Sequence, residues 1–284
     1  MPQITLCAFS DESSSIFEEQ IAALLRNNIP YMEIRNVDGK NIKNLTIEEA
    51  KECKKRLDAN DLAVWSIGSP LGKSNITEAF SIEEEVLKHV CELALTLGAD
   101  KIRMFSFFQA YESRNEVISR LCRMVEIANS YGVGLYHENE KDIYGDTASR
   151  VQDIMDNVPG IHFVYDPANF LQVGESADDT LRCFHCYADY FHIKDVISNT
   201  GELVPAGYGD GNIRKLVADI KEDKVLTIEP HLKIFSGFSD IDDTQMKHKF
   251  NFQSNEDAFD AAVSAIKKIL NANGYTEENR RFVK

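Results

Sequence analysis

Residues 161–170 read IHFVYDPANF, an apolar run that ends on an aspartate followed by a proline. A short run of apolar, β-branched and aromatic residues bounded by a turn signal is typical of a strand buried on both faces, as in a parallel sheet. Proline cannot continue such a strand. Asp166 therefore stands at the carboxyl end of a predicted buried strand.

Seven other segments share this character, and longer amphipathic segments separate them. The predicted strands are ITLCAF (4–9), YMEIR (31–35), LAVWSIG (62–68), KIRMFSF (101–107), GLYHE (134–138), HFVYD (162–166), YFHIK (190–194) and VLTIE (225–229). Apolar residues at helical spacing predict helices within 15–28, 46–60, 81–98, 116–132, 147–157, 176–188, 212–222 and 254–274.

Eight βα units without a Pro/Gly/Ser-rich linker predict an α/β fold, specifically a single-domain (β/α)₈ TIM barrel that spans residues 1–284. The alternative is an open doubly wound sheet, which needs a glycine-rich phosphate turn after its first strand. That place holds SDESSS, and the chain contains neither G-x-G-x-x-G nor a Walker pattern. The closed barrel is favoured, and a nucleotide cofactor is not expected.

Composition and charge indicate which binding partners and which cellular compartment to expect. The formal net charge is −15, whereas nucleic-acid binding relies on clustered Lys and Arg, so nucleic acid is not an expected partner. No apolar run approaches the roughly 18 residues of a membrane span. The start, MPQITLCAFSDES, lacks the basic and long apolar regions of a secretory signal, so we expect a cytoplasmic protein.

Six cysteines are scattered through predicted strands and helices, and in a reducing compartment we expect them to be small core residues. CFHC at 183–186 has the spacing of a zinc or redox pair. It lacks a second cysteine pair at zinc-site spacing, and Leu181, Phe184 and both cysteines fit one helix face. A core helix is therefore the favoured interpretation.

Each of the last four predicted strands carries an ionisable residue: Glu138, Asp166 and Glu229 end their strands, and His192 lies within YFHIK. The carboxyl ends of barrel strands converge, so these side chains are expected to meet. A single such residue is commonly a helix cap or a loop residue, but four in register favour a shared site. Three clustered carboxylates need a cation, and three oxygen ligands with one imidazole predict Mn²⁺ or Mg²⁺, with Co²⁺, Fe²⁺ and Zn²⁺ as alternatives.

Other polar residues near the same strand ends are candidates for binding substrate. They are Arg35, Lys194, Asn169 and His231. Arg35 suits a hydroxyl pair, a carboxylate or a phosphate, and an internal ion pair with Glu33 is the alternative. Lys194 could polarise a substrate oxygen or form a salt bridge with Glu33 or Asp195.

Two loops complete the predicted mouth of the barrel. PAGYGDGNI at 205–213 is glycine-rich, a weak signal for phosphate and a common composition for turns. Residues 232–254 form a loop longer than the usual two to six residues. We expect this segment to cover the pocket or to pack against a second subunit, which would make the protein a homo-oligomer.

At this point the sequence resembles the xylose isomerase-like TIM barrels, which include sugar-phosphate isomerases and epimerases, ketose 3-epimerases, inosose dehydratase and endonuclease IV. The motifs are YMEIRNVDGKNI, GLYHENE, FVYDPANF, FHIKDV with PAGYGDGNI, and LTIEPH. The resemblance implies that Glu138, Asp166, His192 and Glu229 bind the metal, and that Glu138 and Glu229 act as the acid and base. Endonuclease IV-like members need additional histidines on the earlier strands, and these strands have none.

The resemblance and the ligand set together predict a divalent-metal-dependent sugar or sugar-phosphate isomerase or epimerase, with a small carbohydrate as substrate. The cation would stabilise an enediolate while carboxylates transfer the proton. One alternative is a lyase or dehydratase that acts on an inosose or a keto-sugar. The other is a non-catalytic barrel that binds a polyol or a protein.

Overall fold

Eight parallel strands close into a barrel in the computed structural model of the protein, which describes residues 2–233 and 250–284. In chain order the strands are β1 (Gln3–Ala8), β2 (Tyr31–Ile34), β3 (Asn36–Val37), β4 (Lys40–Asn41), β5 (Ala63–Gly68), β6 (Lys101–Met104), β7 (Gly134–Glu138), β8 (His162–Tyr165), β9 (Tyr190–Ile193), β10 (Asp195–Ile197), β11 (Glu202–Val204), β12 (Lys224–Ile228), β13 (Thr276–Glu278) and β14 (Arg281–Val283). The barrel runs β1-β2-β5-β6-β7-β8-β9-β12, and β12 pairs in parallel with β1. The predicted (β/α)₈ barrel is confirmed.

Helices surround the barrel and pack their apolar faces on it. They are α1 (Phe17–Arg26), α2 (Ile47–Asp58), α3 (Phe80–Leu97), α4 (Arg114–Ser130), α5 (Ala148–Asn157), α6 (Pro167–Gln172), α7 (Ala177–Phe184), α8 (Ile213–Ala218) and α9 (Asn255–Ala272). Local sequence sets several of the helix starts: α2 and α9 begin with capping boxes formed by Thr46 with Glu49 and by Ser254 with Asp257. Among the helices that the structure describes, none combines the length and the apolar character of a membrane span.

Three short antiparallel hairpins add to the eight βα units, and the sequence analysis predicted none of them. β3 pairs with β4 and β10 pairs with β11, both at the carboxyl end of the barrel. At the opposite end, β13 and β14 form a hairpin whose second strand pairs with β1. These strands are two or three residues long, too short for a period-2 pattern to stand out.

Helix α6 was also not predicted, although its start signal is present in the sequence. Asp166 is its N-cap and accepts a hydrogen bond from the amide of Asn169, while Pro167 occupies the first turn. The helix has only six residues, so its apolar pattern is too short to be recognised. Its cap fixes the position of one predicted metal ligand.

The interpretation of CFHC as part of a core helix face is wrong. Helix α7 buries Leu181 and Phe184, whereas Cys183 and Cys186 are exposed. Positions 181 and 184 lie on one side of a helix, so 183 and 186 turn away from the core. Of the remaining cysteines, Cys7, Cys53 and Cys91 are buried and Cys122 is half-buried.

The barrel interior changes character along its axis. Its amino-terminal half is filled by an apolar cluster of inward side chains, namely Cys7, Tyr136, Val164, Tyr190 and Val225. The carboxyl-terminal half contains buried charged residues.

The predicted loop 232–254 lies mostly outside the described residues.

The loop after β5 depends on a glycine that no other residue can replace. Gly72 has φ +78°, and a Cβ there would overlap the backbone carbonyl of Phe105. Gly132 has a similar φ of +74°, but a Cβ would meet no atom within 4 Å. Gly72 thus combines a conformational and a steric requirement, and Gly132 has only the first.

We expect Gly72→Ala to lower the free energy of unfolding by about 2 kcal/mol more than Gly132→Ala. Both variants bear the cost of a left-handed alanine, about 1 kcal/mol, so their difference isolates the overlap with Phe105. Urea unfolding monitored by circular dichroism measures both. Equal losses would show that the loop after β5 can move away from β6.

Candidate functional site

The four predicted metal ligands meet at the carboxyl end of the barrel. Glu138 ends β7, Asp166 follows β8, His192 lies in β9 and Glu229 follows β12. One ligand atom from each residue lies within 4.8 Å of the others, and all four side chains are buried. These residues form a buried group that could hold a metal ion.

The His192 ring is held so that one nitrogen faces two carboxylates. Its Nε2 lies 3.2 Å from Glu33 Oε2, and its Nδ1 lies 3.0 Å from Glu138 Oε1 and 3.1 Å from Glu229 Oε2. Although both Nδ1 distances are short, neither contact has the direction of a hydrogen bond. With Nε2 facing Glu33, the two carboxylates call for a positive charge at Nδ1, which either a proton on the ring or a bound cation can supply.

Asp166 is held at three points. Its Oδ1 accepts the Asn169 amide at 3.0 Å, and its Oδ2 lies 2.9 Å from Lys194 Nζ. Its backbone amide donates to Asn139 Oδ1, and Asn139 Nδ2 donates to the Asp166 carbonyl, both at 2.9 Å. Asn139 thus joins the ends of β7 and β8 and fixes the spacing of two candidate ligands.

Asn169, a predicted substrate-binding residue, contacts a candidate ligand. Its Nδ2 lies 3.2 Å from Glu138 Oε1 and 2.9 Å from the Asn139 carbonyl, and both are hydrogen-bond acceptors. Its Oδ1 is buried without a hydrogen bond among the described residues. The amide therefore orients Glu138 through its nitrogen and presents an acceptor to the site.

Arg35, also predicted to bind substrate, forms a fork with acidic residues inside the barrel. Its Nε and Nη2 donate to the two carboxylate oxygens of Asp11 at 2.9 and 3.0 Å, and its Nη1 donates to Glu229 Oε1 at 3.0 Å. The ring of Phe9 packs 4.3 Å from the guanidinium carbon. The guanidinium thus positions Glu229 from the side opposite to His192.

The alternative expectation of an Arg35–Glu33 ion pair is wrong. The pairing of β2 with β5 shifts register between Met32 and Glu33, and β2 ends at Ile34, so Arg35 lies beyond the strand. Glu33 instead accepts the hydroxyl of Tyr190 at 2.9 Å and contacts His192. One acidic side chain in β2 thereby orients the imidazole.

Lys194 contacts neither Glu33 nor Asp195, the two predicted salt-bridge partners. It lies 2.9 Å from Asp166 and 3.9 Å from Glu229 Oε2. Asp195 points away into the loop that follows β11, where it accepts hydrogen bonds from several backbone amides. Lys194 is thus a buried cation directly beside the candidate ligands.

The glycine-rich loop is organised around Asp195 and does not form an open anion site. The Asp195 carboxylate accepts the amides of Gly207, Gly209 and Gly211 at 2.8, 3.1 and 2.9 Å. A Cβ at Gly209 would overlap this carboxylate, which explains the glycine. These glycine amides, which had given a weak signal for phosphate binding, already donate hydrogen bonds to the Asp195 carboxylate.

His231 lies at the edge of the same group. Its amide donates to Glu12 Oε2 at 2.8 Å, and its Nε2 lies 3.4 Å from Glu12 Oε1 and 3.5 Å from Glu229 Oε1. Glu12, Glu229 and His231 form a second set of close ligand atoms. Burial lowers the pKa of His231, so its ring is neutral near pH 7.

The sequence analysis missed several charged residues at this end of the barrel. They are Asp11, Glu12, Arg103, Glu140 and Lys73. Asp11 and Glu12 lie three and four residues beyond the last residue of β1, so a search just past each strand end would have found them. Arg103 Nε lies 3.2 Å from Glu138 Oε2, and no motif indicated it.

Among the described residues, seven carboxylates and four permanent cations share this region. The carboxylates are Asp11, Glu12, Glu33, Glu138, Glu140, Asp166 and Glu229, and the cations are Arg35, Lys73, Arg103 and Lys194. The acidic groups exceed the cations by three. Bound protons or a divalent ion have to offset this excess.

The pKa shifts follow this excess of negative charge. Burial lowers the pKa of His192, but the charges of Glu138, Glu33 and Glu229 outweigh burial and raise it well above its ordinary value. Burial also raises the pKa of Asp166 to about 7, although the charge of Lys194 opposes this change. The site favours a positive charge at the His192 Nδ1 position.

A closed barrel with carboxylates and an imidazole at the carboxyl ends of its strands places this chain among the (β/α)₈ barrels whose polar site lies on that face. The model of the xylose isomerase-like TIM barrel family matches residues 21–234. The chain belongs to this family, as its motifs predicted.

Solved structures of similar fold include the probable 3-DHS dehydratase AsbF from Bacillus anthracis, with 17% identity, a TM-score of 0.69 and coverage of 94% of this chain and 99% of that chain. A D-allulose 3-epimerase from Methylomonas sp. has 15% identity, a TM-score of 0.70 and coverage of 95% and 99%. The IolI protein, solved with a binding zinc atom, has 16% identity, a TM-score of 0.69 and coverage of 95% and 99%. At these identities the likeness shows a shared fold. No curated protein sequence matches the chain significantly.

Glu12 makes the free energy of unfolding of the metal-free protein depend on pH. Burial raises its pKa from 4.5 to about 8, with Arg35 opposing the shift. Between these values the folded state binds a proton that the unfolded state releases, so the free energy of unfolding decreases as the pH rises from about 5 to 8. We expect Glu12→Gln to show a smaller decrease in chemical denaturation after chelation.

The control for this measurement is Glu112→Gln, because Glu112 is exposed. This variant is expected to retain the wild-type pH dependence. An identical slope in wild type and Glu12→Gln would mean that Glu12 is ionised in the folded protein at pH 5.

Proposed function

We propose that the protein is a divalent-metal-dependent isomerase or epimerase of keto-sugars, with Glu138, Asp166, His192 and Glu229 as the metal ligands. The observation that carries this proposal is the orientation of His192. Its Nδ1 faces Glu138 and Glu229 without a directed hydrogen bond, while Glu33 occupies the other nitrogen. This arrangement matches a histidine ligand oriented by an outer carboxylate.

The ligand chemistry favours Mn²⁺ as the cation. Three carboxylates and one imidazole suit Mn²⁺ and Mg²⁺, and Co²⁺, Fe²⁺ and Zn²⁺ remain alternatives. The zinc atom in the structure of IolI supports a divalent ion in this fold. The excess of buried carboxylates supports the same proposal, because a divalent ion offsets most of it.

When bound, the cation would polarise a substrate carbonyl and stabilise the negative charge that develops as the neighbouring C–H proton leaves. Glu138 and Glu229 stand on two sides of His192 Nδ1 and are proposed as the acid and base. One removes the proton from carbon and the other returns it, which inverts that carbon. Return of the proton to the adjacent carbon gives aldose–ketose isomerisation.

Different neighbours hold the two glutamates in place. Arg35 holds one oxygen of Glu229, and the charges of Lys194 and His192 keep the pKa of Glu229 well below its ordinary value although burial opposes them. Glu138 is held by the Asn169 amide and lies beside Arg103. Both carboxylates are thus fixed in place before substrate arrives.

Lys194 is proposed to bind a substrate oxygen. Its ammonium group lies beside Asp166 and Glu229, and their charges raise its pKa well above the ordinary value although burial opposes the shift. A cation at this position can donate to the oxygen that becomes negative as the C–H proton leaves. Asn169 Oδ1 and His231 line the same end of the barrel and complete the proposed polar contacts.

The substrate class follows from fold relatives together with this geometry. The structures of similar fold include a D-allulose 3-epimerase and the probable 3-DHS dehydratase AsbF. A small carbohydrate with a carbonyl beside a hydroxyl suits both.

The six cysteines are free thiols, which fits the proposed cytoplasmic location.

Metal binding gives the first test. We expect protein purified without added metal, then dialysed against Mn²⁺, to contain about one equivalent, and Asp166→Asn to contain much less. Asparagine is itself a good N-cap, so this variant keeps the start of α6 and removes the ligand charge. Elemental analysis by mass spectrometry measures the content.

Asp178→Asn is the control, because Asp178 lies in the first turn of α7 and pairs with Lys215 at the surface. It is expected to retain the metal. Full metal content in Asp166→Asn would remove Asp166 from the ligand set.

Proton exchange gives the second test. In deuterated water, the wild-type enzyme is expected to place deuterium in recovered ketose and in product, as monitored by NMR. Glu138→Gln and Glu229→Gln are each expected to lower turnover about 10²- to 10⁴-fold, since each removes one proton-transfer group. Gln keeps an oxygen ligand, so metal content is measured in parallel to separate the two roles.

With one glutamate left, exchange is expected in only one of the two epimers, and the two variants are expected to label opposite epimers. Loss of water from the sugar would assign a lyase in place of an isomerase. Metal binding without exchange or elimination across a panel of ketoses and inososes would indicate a non-catalytic barrel.

A further inference from the structure

A cavity of about 650 Å³ adjoins the candidate active site. It is bounded by the loops that follow β5, β6 and β7. Its lining includes Lys73, Asn75, Phe108, Gln109, Tyr111 and Asp142. Backbone bridges from Phe108 to Asn75 and to Ile143 join the three loops.

Lys73 connects this cavity with the proposed metal site. Its Nζ lies 3.1 Å from Glu140 Oε2 and 4.4 Å from the centre of the Phe105 ring. Glu140 is buried and follows Glu138 by two residues. The cavity therefore adjoins the site on the Glu138 side.

Tyr111 presents a fixed aromatic surface to the cavity. Its hydroxyl donates to Asp146 Oδ2 at 2.6 Å, and the guanidinium carbon of Arg150 lies 4.4 Å from its ring centre. Arg150 in turn donates to Asp146 Oδ1. With one face covered by Arg150 and 44% of the residue still exposed, the ring offers its remaining surface to a ligand.

The other lining groups are those that recognise a sugar. Asn75, Gln109 and Asp142 supply amide and carboxylate groups for hydroxyls, while Phe108 and Tyr111 supply rings for the apolar C–H face. Gln109 and Asp142 are exposed, so the hydroxyls of a saccharide can replace the water that solvates their polar groups. This mixture favours a saccharide over an apolar group.

The backbone around the cavity is strained. Phe107, Gln109 and Asp142 have φ values of 71°, 54° and 65°, a region that non-glycine residues seldom adopt. Such strain persists where the surrounding structure fixes it, commonly at ligand sites. The loop bridges and the Gly72 turn supply that fixation here.

We infer that this cavity is a subsite for a second saccharide unit, so that the substrate is a glycosylated keto-sugar and not a free monosaccharide. The keto-sugar unit lies at the four candidate ligands, and the glycosyl unit packs against Tyr111 and Phe108. This assignment of the keto-sugar unit rests on the proposed function. The cavity, the fixed ring and the polar lining support the subsite.

The test compares ligands that differ by one glycosyl unit. Isothermal titration calorimetry on Mn²⁺-loaded protein measures the affinities of D-fructose and of three keto-disaccharides with different linkages, turanose, lactulose and palatinose. We expect at least one disaccharide to bind about fivefold tighter than D-fructose. We expect Tyr111→Ala to abolish this gain and to leave the affinity for D-fructose unchanged.

Gln109→Ala is a second variant, because the Gln109 side chain is exposed and lines the cavity. It is expected to reduce the gain as well. Tyr187→Ala, in an exposed tyrosine away from the cavity, is the control and is expected to retain the gain. The inference is overturned if no disaccharide binds tighter than D-fructose, or if the gain survives in both cavity variants.

Chelation separates this inference from the proposed function. If the metal site is assigned wrongly, the affinity for D-fructose will not change when Mn²⁺ is removed. If only the subsite is assigned wrongly, D-fructose binding will depend on Mn²⁺ and the disaccharides will show no gain. The two failures therefore have different signatures in one set of titrations.

Discussion

Repulsion among buried carboxylates is the constraint on which the carboxyl end of this barrel depends. Seven acidic side chains lie within a few side-chain lengths of one another, and four permanent cations only partly balance them. In a buried environment such an imbalance strongly favours the uptake of positive charge. The high pKa of His192 expresses this preference, and burial together with the neighbouring carboxylates raises the pKa values of Asp166 and Glu12.

The cations in the site are held apart by aromatic rings. Phe9 lies with its ring centre 4.3 Å from the Arg35 guanidinium and 5.2 Å from that of Arg103, and it meets the His192 ring edge-on. A Cβ at Gly68 would overlap the Phe9 ring, so the glycine makes room for it. Arg35 and Arg103 therefore reach Glu229 and Glu138 from separate directions, which keeps the two candidate acid–base groups distinct.

The sequence predicted the parts of the structure that repeat. Strand and helix periods recur eight times, and residues at equivalent strand ends have to converge, so the barrel and the group of four candidate ligands followed from pattern and topology. Contacts that depend on a local irregularity did not. Glu33 lies in β2 and contacts Tyr190 and His192, whereas Arg35 lies beyond the strand. Only the folded chain shows that Arg35 reaches Asp11 and Glu229.

Short elements escaped prediction for a related reason. Helix α6 and the three hairpins have too few residues for a period to emerge, although Asp166 and Pro167 gave the start signal of α6. The exposure of Cys183 and Cys186 was misjudged because four apolar or small residues in one segment were assigned to one face. The hydrogen bonds from glycine amides to Asp195 could not be predicted either. They depend on the path that the loop takes between residues 195 and 211, which no sequence pattern specifies.

The pairing of β1 also constrains how the chain can be made. Two of the strands that pair with β1 lie near the end of the sequence, β12 at residues 224–228 and β14 at residues 281–283. While the protein emerges from the ribosome, the first strand therefore keeps an unpaired edge until nearly all of the sequence has been synthesised. Closure of the ring is a late, long-range event, and the nascent chain has to be protected from association with its neighbours until that event occurs.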